Sequence, residues 1–574
     1  MKIIIKRFIT VFILLIAAII VFNRAPEYKL EYKYKDGDIR VIIDDSEITR
    51  NINKLPQTAL LLDGEVLLSE DTIDILFDKN LYYEEKYDTL ITTSKEHIAK
   101  LKVDSESIVI DGLTYSMNAP TINVKYDYKN DNRYENNAKK NSQEEVIYIP
   151  IKALEEVYDI TVEFNGKVII TKNNKNRVRI TVNAEDNFEL KHTNDEFAKN
   201  VEIVSAGKYI DIYNYDETQN FIYARSHTGE LGYIAKEELL NYEIKYAKIE
   251  DKEKEVEKVN IAWDYININS NDISNKVNRK KEEALDVVAP TLLYLKNTNG
   301  DITYNVDVAR SYLRWAKNQN YRVWVTLKNE YADRHFSLEE TSEFLNDMKH
   351  RENTIEQIIG FAKRNNIEGI NIDIEYIYQK DATAFSQFVR ELYVMAKKED
   401  IIISVCVNVP DGSPNWSLCY QHNALSEYSD YIALMAYDQY GATSSVAGPN
   451  ASLEWVDTNI NKLVERDGVK SQKILLGIPF YSRLWKSENG VLKSSTIYMN
   501  LAKTYMNKNP KPAWSDIAGQ YFYENETATI QLWIEENESI SRKLDLIEKY
   551  NLGGSAYWML GYETSDIWDT IKEK

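Results

Sequence analysis

From residue 255 onward, short apolar runs alternate with amphipathic stretches. The runs are VNIAWDYI (259–266), LDVVAPTLLYL (285–295), YRVWVTL (321–327), EGINIDIEYI (368–377), IIISVCVNV (401–409), YIALMAYD (431–438), KILLGIPFY (473–481) and GGSAYWML (553–560). Near-continuous hydrophobicity over such lengths predicts strands buried on both faces, as in a parallel sheet covered by helices. Segments of helical period lie between most of them. In NTIEQIIGFAKRN (353–365), Asn353 is placed to cap a helix and Glu356 to reach back as in a capping box. Eight such units over about 320 residues predict an α/β fold, a (β/α)₈ TIM barrel with insertions.

The fourth run breaks the apolar rule. In IEGINIDIEYIY (367–378), Ile370, Ile372 and Ile374 interleave with Asn371, Asp373 and Glu375. Alone, this alternation reads as an edge strand with one wet face. In a barrel strand, the isoleucines face the helices and the polar set points inward, climbing toward the C-terminal mouth. An unpaired carboxylate there costs several kcal/mol, so packing does not explain it. Same-face neighbours lie about 6.5–7 Å apart along a strand, close enough for Asp373 to raise the pKa of Glu375. A general acid working near neutral pH needs such a shift.

Upstream, all ten tryptophans are missing from the first 262 residues, and the charged run IEDKEKEVEK (249–258) marks a boundary. Residues 28–178 hold a diverged duplication. LLLDGEVLLSEDTIDILFDKNLYYEEKYDTLITT (60–93) predicts strand, short helix, strand, strand, and VIYIPIKALEEVYDITVEFNGKVIITK (146–172) repeats the order, with Phe-Asn-Gly-Lys as a hairpin turn. The pattern resembles the repeated α+β module named after the N-terminal domain of copper amine oxidases, without a cluster of metal ligands. Between the halves, YDYKNDNRYENNAKKNSQEE (126–145) predicts a solvated loop. Residues 187–242 predict short strands, and TGELGYIAKEEL (228–239) resembles the small all-β barrel of bacterial SH3-like domains. That resemblance implies either a binder of wall peptides or a spacer without a ligand.

At the N-terminus, Lys2, Lys6 and Arg7 precede an apolar run from Phe8 to Phe22, with no small-x-small cleavage site after it. This predicts a transmembrane signal anchor over residues 1–24, with a cleaved signal peptide as the alternative. In either case the remainder lies outside the cytoplasmic membrane. The chain has 574 residues, 28% charged and 44% hydrophobic, which suits several globular domains. A net charge of −20 excludes a nucleic-acid partner. Two cysteines, Cys406 and Cys419, exclude a disulfide scaffold, and six scattered histidines predict no catalytic metal and no cofactor.

Four ordered motifs place residues 255–574 beside a known family. EGINIDIE (368–375) resembles the D-G-x-D-x-D-x-E signature on the fourth strand of family 18 glycoside hydrolases. LMAYD (434–438) is similar to the family's M-x-Y-D motif, and GGSAYW (553–558) to its final strand with a tryptophan under the sugar. GIPFYSRLW (477–485) resembles strand seven, and AGPNASLEWVD (447–457) the region before it. The similarity is greatest to the bacterial branch acting on spore cortex or cell-wall peptidoglycan. Two positions depart from the signature: Glu368, whose strand parity puts it outside the acid ladder, and Asn371, which leaves Asp373 as the one charged neighbour beneath Glu375.

The resemblance implies retaining hydrolysis of an N-acetylhexosamine glycan in which the substrate's acetamido group is the nucleophile. In that scheme Glu375 is the proton donor, Asp373 orients the acetamido N–H, and Tyr437 holds its oxygen. Asp438 supports sugar hydroxyls and Trp558 stacks beneath the ring. Asn371 belongs to the same ladder and is expected among the substrate contacts. Tyr376, Tyr481 and Arg483, near strand C-termini, are further candidates for sugar contact, and Met435 is expected to pack beneath Tyr437. Chitin and a silent glycan-binding role are the alternatives to peptidoglycan hydrolysis. The intact Glu375 argues against the silent role.

Overall fold

The computed structural model describes residues 39–48, 58–127, 143–173, 176–216, 218–244, 256–331 and 334–574. The anchor expected over 1–24, and most of the loop 126–145, lie outside the described residues. Among the described residues no helix is long and apolar enough to cross a membrane. They divide into two compact units, one within 1–60 and 161–247, the other within 61–160 and 248–574.

In the first unit Arg40–Ile43 pairs in parallel with Lys167–Lys172, beside Ile160–Phe164 and Ser46–Glu47. A six-stranded antiparallel sheet spans Val178–Thr181 to Leu231–Ala235. Its core is Val178, Ile180, Phe188, Leu190, Ile210, Ile212, Ile222, Ala224 and Ile234. Gly232 is required by close approach, because a Cβ there would sit 2.6 Å from the Lys191 carbonyl. The duplicated order is visible on both sides of the unit boundary. Glu65–Ser69, helix Glu70–Leu76, Tyr82–Glu84 and Thr89–Thr93 match Gln143–Pro150, a helical turn over Ile151–Leu154 and Glu155–Tyr158, Ile160–Phe164 and Lys167–Lys172.

The second unit is built on eight parallel strands: β1 (Val259–Asp264), β2 (Val287–Leu295), β3 (Arg322–Lys328), β4 (Gly369–Asp373), β5 (Ile402–Asn408), β6 (Tyr431–Met435), β7 (Ile474–Pro479) and β8 (Gly554–Trp558). Each pairs with the next, and β1 pairs with both β2 and β8, which closes the barrel. Closure demands a glycine: Gly554 has φ +140°, and a Cβ there would meet the Val259 carbonyl oxygen at 1.9 Å. Two apolar clusters follow from strand alternation. One fills the barrel, with Val259, Ile261, Trp263, Ala289, Trp324, Cys406, Ala433, Leu475 and Ala556. The other lies between strands and helices and includes Ile370, Ile372 and Ile374.

The helix before β4 starts earlier than expected. It runs Met348–Asn365 with Asp347 as its cap, accepting from the Lys349 N–H. Asn353 sits inside it and donates instead to the Asn299 carbonyl and to Asp301, so the Asn353 capping box does not form. Between β7 and β8 the chain builds a five-stranded antiparallel sheet, Tyr481–Glu488 through Ile530–Ile534, with its own core of Leu484, Ile497, Ala502, Tyr523, Leu532 and Ile534. Residues 61–160 are fastened to two barrel helices by buried charge. Arg390, on helix Ala382–Lys397, donates to Asp78 and to the Thr93 carbonyl. Arg351 bridges Glu84 and Glu391.

Candidate active site

The polar set of β4 points into the barrel, while the isoleucines pack against helices. The strand is shorter than expected, because its pairing ends at Asp373 rather than Ile377. Glu375 stands just past the sheet, where the backbone turns out and Tyr376 adopts φ +55°. Asn329, at the end of β3, holds that turn. Its Oδ1 accepts from the Glu375 N–H at 3.0 Å and its Nδ2 donates to the Glu375 carbonyl at 2.5 Å. Thr341 accepts from the same Nδ2 at 3.0 Å, so the clamp is itself oriented.

The three ladder positions have different environments. Asn371 is fully buried, and its Oδ1 accepts from Trp263 Nε1 (3.0 Å), Thr326 Oγ1 (3.4 Å) and Cys406 Sγ (3.4 Å). Its Nδ2 donates to Ser404 Oγ at 3.1 Å. The amide oxygen and one amide N–H are thus engaged by the barrel wall. Asp373 is buried above it. Its Oδ1 has no hydrogen-bond partner, and its Oδ2 lies 3.6 Å from Lys328 Nζ. Glu375 is half-buried, and burial together with the Asp373 charge raises its pKa to about 7, against a smaller opposing pull from Lys328.

The other walls converge on this pair. Tyr437 and Trp558 pack at the top of the interior cluster together with Met435, and the Trp558 ring lies 6.0 Å from that of Trp263. Burial pushes the Tyr437 hydroxyl well above its ordinary pKa, so it is a neutral donor. Asp438 has φ +58° and is held by the Asn450 side chain, which accepts its N–H at 3.1 Å.

A model of glycosyl hydrolases family 18 matches residues 315–563. The barrel is a glycosyl hydrolase family 18 domain. An uncharacterized glycosylase, YvbX, of Bacillus subtilis (strain 168) is 24% identical over 275 residues, covering 46% of this chain and 79% of the relative. The cortical fragment-lytic enzyme of the same organism is 23% identical over 315 residues, covering 52% of this chain and 72% of that enzyme. Among solved structures, a chitinase from Chromobacterium violaceum ATCC 12472 has 21% identity and TM-score 0.49, covering 55% of this chain and 98% of that one.

Within this family 18 domain, two residues expected to contact sugar hydrogen-bond Asp438. Tyr481 is buried and donates its hydroxyl to Asp438 Oδ1 at 2.8 Å; Arg483 Nη2 donates to the same oxygen at 2.7 Å. Both hold Asp438. Tyr376, directly after Glu375, is 46% exposed, its ring 4.9 Å from that of His335. Lys328, Asn329 and Glu330 were missed, since they follow the run YRVWVTL and read as a solvated strand end. The available signal was position: the C-terminal ends of barrel strands form the mouth. The glycoside hydrolase domain thus carries a carboxyl that keeps its proton to near neutrality, beside a second carboxylate with one unpartnered oxygen, over an aromatic floor.

Proposed function

We propose that the chain hydrolyses β-1,4 N-acetylglucosaminyl bonds in peptidoglycan of the cell wall or spore cortex, with retention of configuration. The observation that carries this reading is the pairing of Glu375, raised to about 7, with Asp373, whose Oδ1 is buried and unpartnered. A protonated Glu375 gives its proton to the glycosidic oxygen. The acetamido oxygen of the sugar attacks the anomeric carbon and forms an oxazolinium ion, while Asp373 Oδ1 accepts the acetamido N–H and offsets the positive charge. Tyr437 donates to the acetamido oxygen and holds it in line. Trp558 lies under the pyranose, and Asp438, held by Tyr481 and Arg483, accepts from a ring hydroxyl. Glu375 then takes a proton from water, which opens the ring ion on the same face.

The choice of a wall polymer over chitin is supported by the cortical fragment-lytic relative and by the sequence reading of residues 1–24 as a membrane anchor. On that reading the catalytic unit is an extracytoplasmic domain facing the wall. The copper amine oxidase-like and SH3-like segments are wall-directed modules in this scheme, the latter for a wall peptide. The test is digestion of purified vegetative peptidoglycan, spore cortex and chitin by the full chain and by Glu375→Gln, with the new reducing ends identified by mass spectrometry. New N-acetylglucosamine ends are expected from a wall substrate, and none from the variant. Muramic-acid ends would overturn the bond assignment. Cleavage of chitin alone would overturn the substrate.

A further inference from the structure

The neutral residue at 371 leaves a charge problem one step up the barrel. Asn371 directs one amide N–H at Ser404, and Asp373 Oδ1 receives no hydrogen bond from it. Asp373 is 4% exposed, lacks a partner at Oδ1, and shares its surroundings with a second carboxyl, Glu375. Two buried acids in one site share a proton unless something holds one of them ionised. The group that can do so is Lys328. Its side chain is 8% exposed, and its Nζ lies 3.6 Å from Asp373 Oδ2 and 3.3 Å from Glu330 Oε2. Lys328 and Asp373 are register partners on adjacent strands, so the backbone sets their approach. The same ammonium stands 5.9 Å from the centre of the Trp558 ring.

We propose that Lys328 is a positioning residue: its ammonium keeps Asp373 ionised and turned into the site, so that the catalytic proton resides on Glu375. Glu330 gives the same ammonium a second carboxylate partner, at 3.3 Å. The charged and titratable groups around the pair come from three strands and the segments that follow them. Lys328, Glu330 and His335 come from β3 and the hairpin after it, and Cys406 and Tyr420 from β5 and the loop that follows. Tyr437 and Asp438 follow β6. Asp438 already has its own cation, Arg483, so that arginine does not substitute for Lys328. Burial and the nearby ammonium hold His335 below its ordinary pKa, which leaves it neutral where the acids titrate.

The inference rests on Glu375 being the acid, and two measurements separate the two claims. The first needs no substrate. Melting temperatures of the full chain with and without Glu375→Gln, from pH 4 to 9, give the pH at which Glu375 loses its proton. The midpoint is expected near 7 in the native chain. In Lys328→Met it should move about 1–2 pH units more alkaline, since a nearby cation lowers a carboxyl by roughly that much. Lys328→Arg should return it to the native position. A merely structural lysine lowers the melting temperature at every pH and leaves the midpoint in place. An unmoved midpoint in Lys328→Met, or an equal shift in Lys328→Arg, overturns the proposal. The second measurement is kcat/KM against pH on solubilised peptidoglycan strands, where both limbs should move alkaline in Lys328→Met. If Glu375→Gln kept full activity while the melting midpoint still moved, Lys328 would tune Glu375 but Glu375 would not be the acid.

Discussion

Removing Arg390 should loosen residues 61–160 from the barrel, and the cost can be worked from its partners. Arg390 is 1% exposed and Asp78 4%. The guanidinium donates to Asp78 Oδ1 at 2.5 Å, to the Thr93 carbonyl at 2.8 Å, to Gln387 Oε1 at 2.9 Å and to the Asn80 carbonyl. Arg390→Met fills similar volume but leaves Asp78 buried without its cation. Breaking one side of a buried pair costs about 3–5 kcal/mol. The lower end applies here, because Asp78 Oδ2 still accepts from Thr92 Oγ1 (2.8 Å) and the Thr93 N–H (2.9 Å). A loss of about 3 kcal/mol lowers the melting temperature of a unit of this size by roughly 3–4 °C. All ten tryptophans lie between Trp263 and Trp568, so intrinsic fluorescence follows the barrel unit without signal from the first unit. Urea and thermal unfolding by fluorescence should show the drop in Arg390→Met and in Asp78→Leu. The double variant should recover most of it, because replacing both charges with apolar groups is close to neutral. If either single variant unfolded within about 0.5 kcal/mol of the native chain, below the range for broken buried pairs, the fastening would not be energetic.

Glu375→Gln should lower kcat by about 10²–10⁴, the usual contribution of a positioned general acid. It should also stabilise the fold above pH 7. Between about 4.5 and 7 the native state keeps a proton that the unfolded chain releases, so this group subtracts stability as pH rises through that window, roughly 3 kcal/mol in all. The variant should therefore match the native melting temperature at pH 4 and exceed it at pH 8. Native kcat/KM should fall above a limb near pH 7, where Glu375 ionises. Asn329→Ala frees the backbone of Glu375 and should lower kcat by about 10², the cost of a misplacement near 1 Å, with a smaller effect on KM. Asn371→Asp should destabilise on the order of 3 kcal/mol at pH 8 and less at pH 5, where the buried carboxyl can hold a proton; circular dichroism melts at the two pH values check it.

The barrel strands were legible because burial on both faces leaves an uninterrupted apolar run, which flanking polar residues delimit to within a few positions. Asp373 and Glu375 were legible for the same reason, since an acid inside such a run is conspicuous. What stayed hidden depends on pairings between distant segments. Arg351 and Arg390 sit on helices whose charges normally face water, and only the docking of residues 61–160 makes them buried partners. Lys328 follows the last apolar residue of β3 and reads as a strand end. The register that sets it opposite Asp373 is a property of two strands 45 positions apart.

Asn371 shows why one substitution in a motif misleads when it is read alone. As a departure from an acid ladder it reads only as the loss of one charge, leaving Asp373 as the charged neighbour beneath Glu375. In the barrel its oxygen gathers donors from β1, β3 and β5 and its amide hydrogen goes to Ser404, so the residue closes the floor beneath the acids. An aspartate there would bring a third carboxyl under Asp373 and Glu375, and one ammonium would then face three acids from below as well as Glu330 from the side. A neutral floor and a single bound lysine meet the same electrostatic requirement with fewer buried charges, and Glu375 is left as the acid that burial and the Asp373 charge raise to about 7.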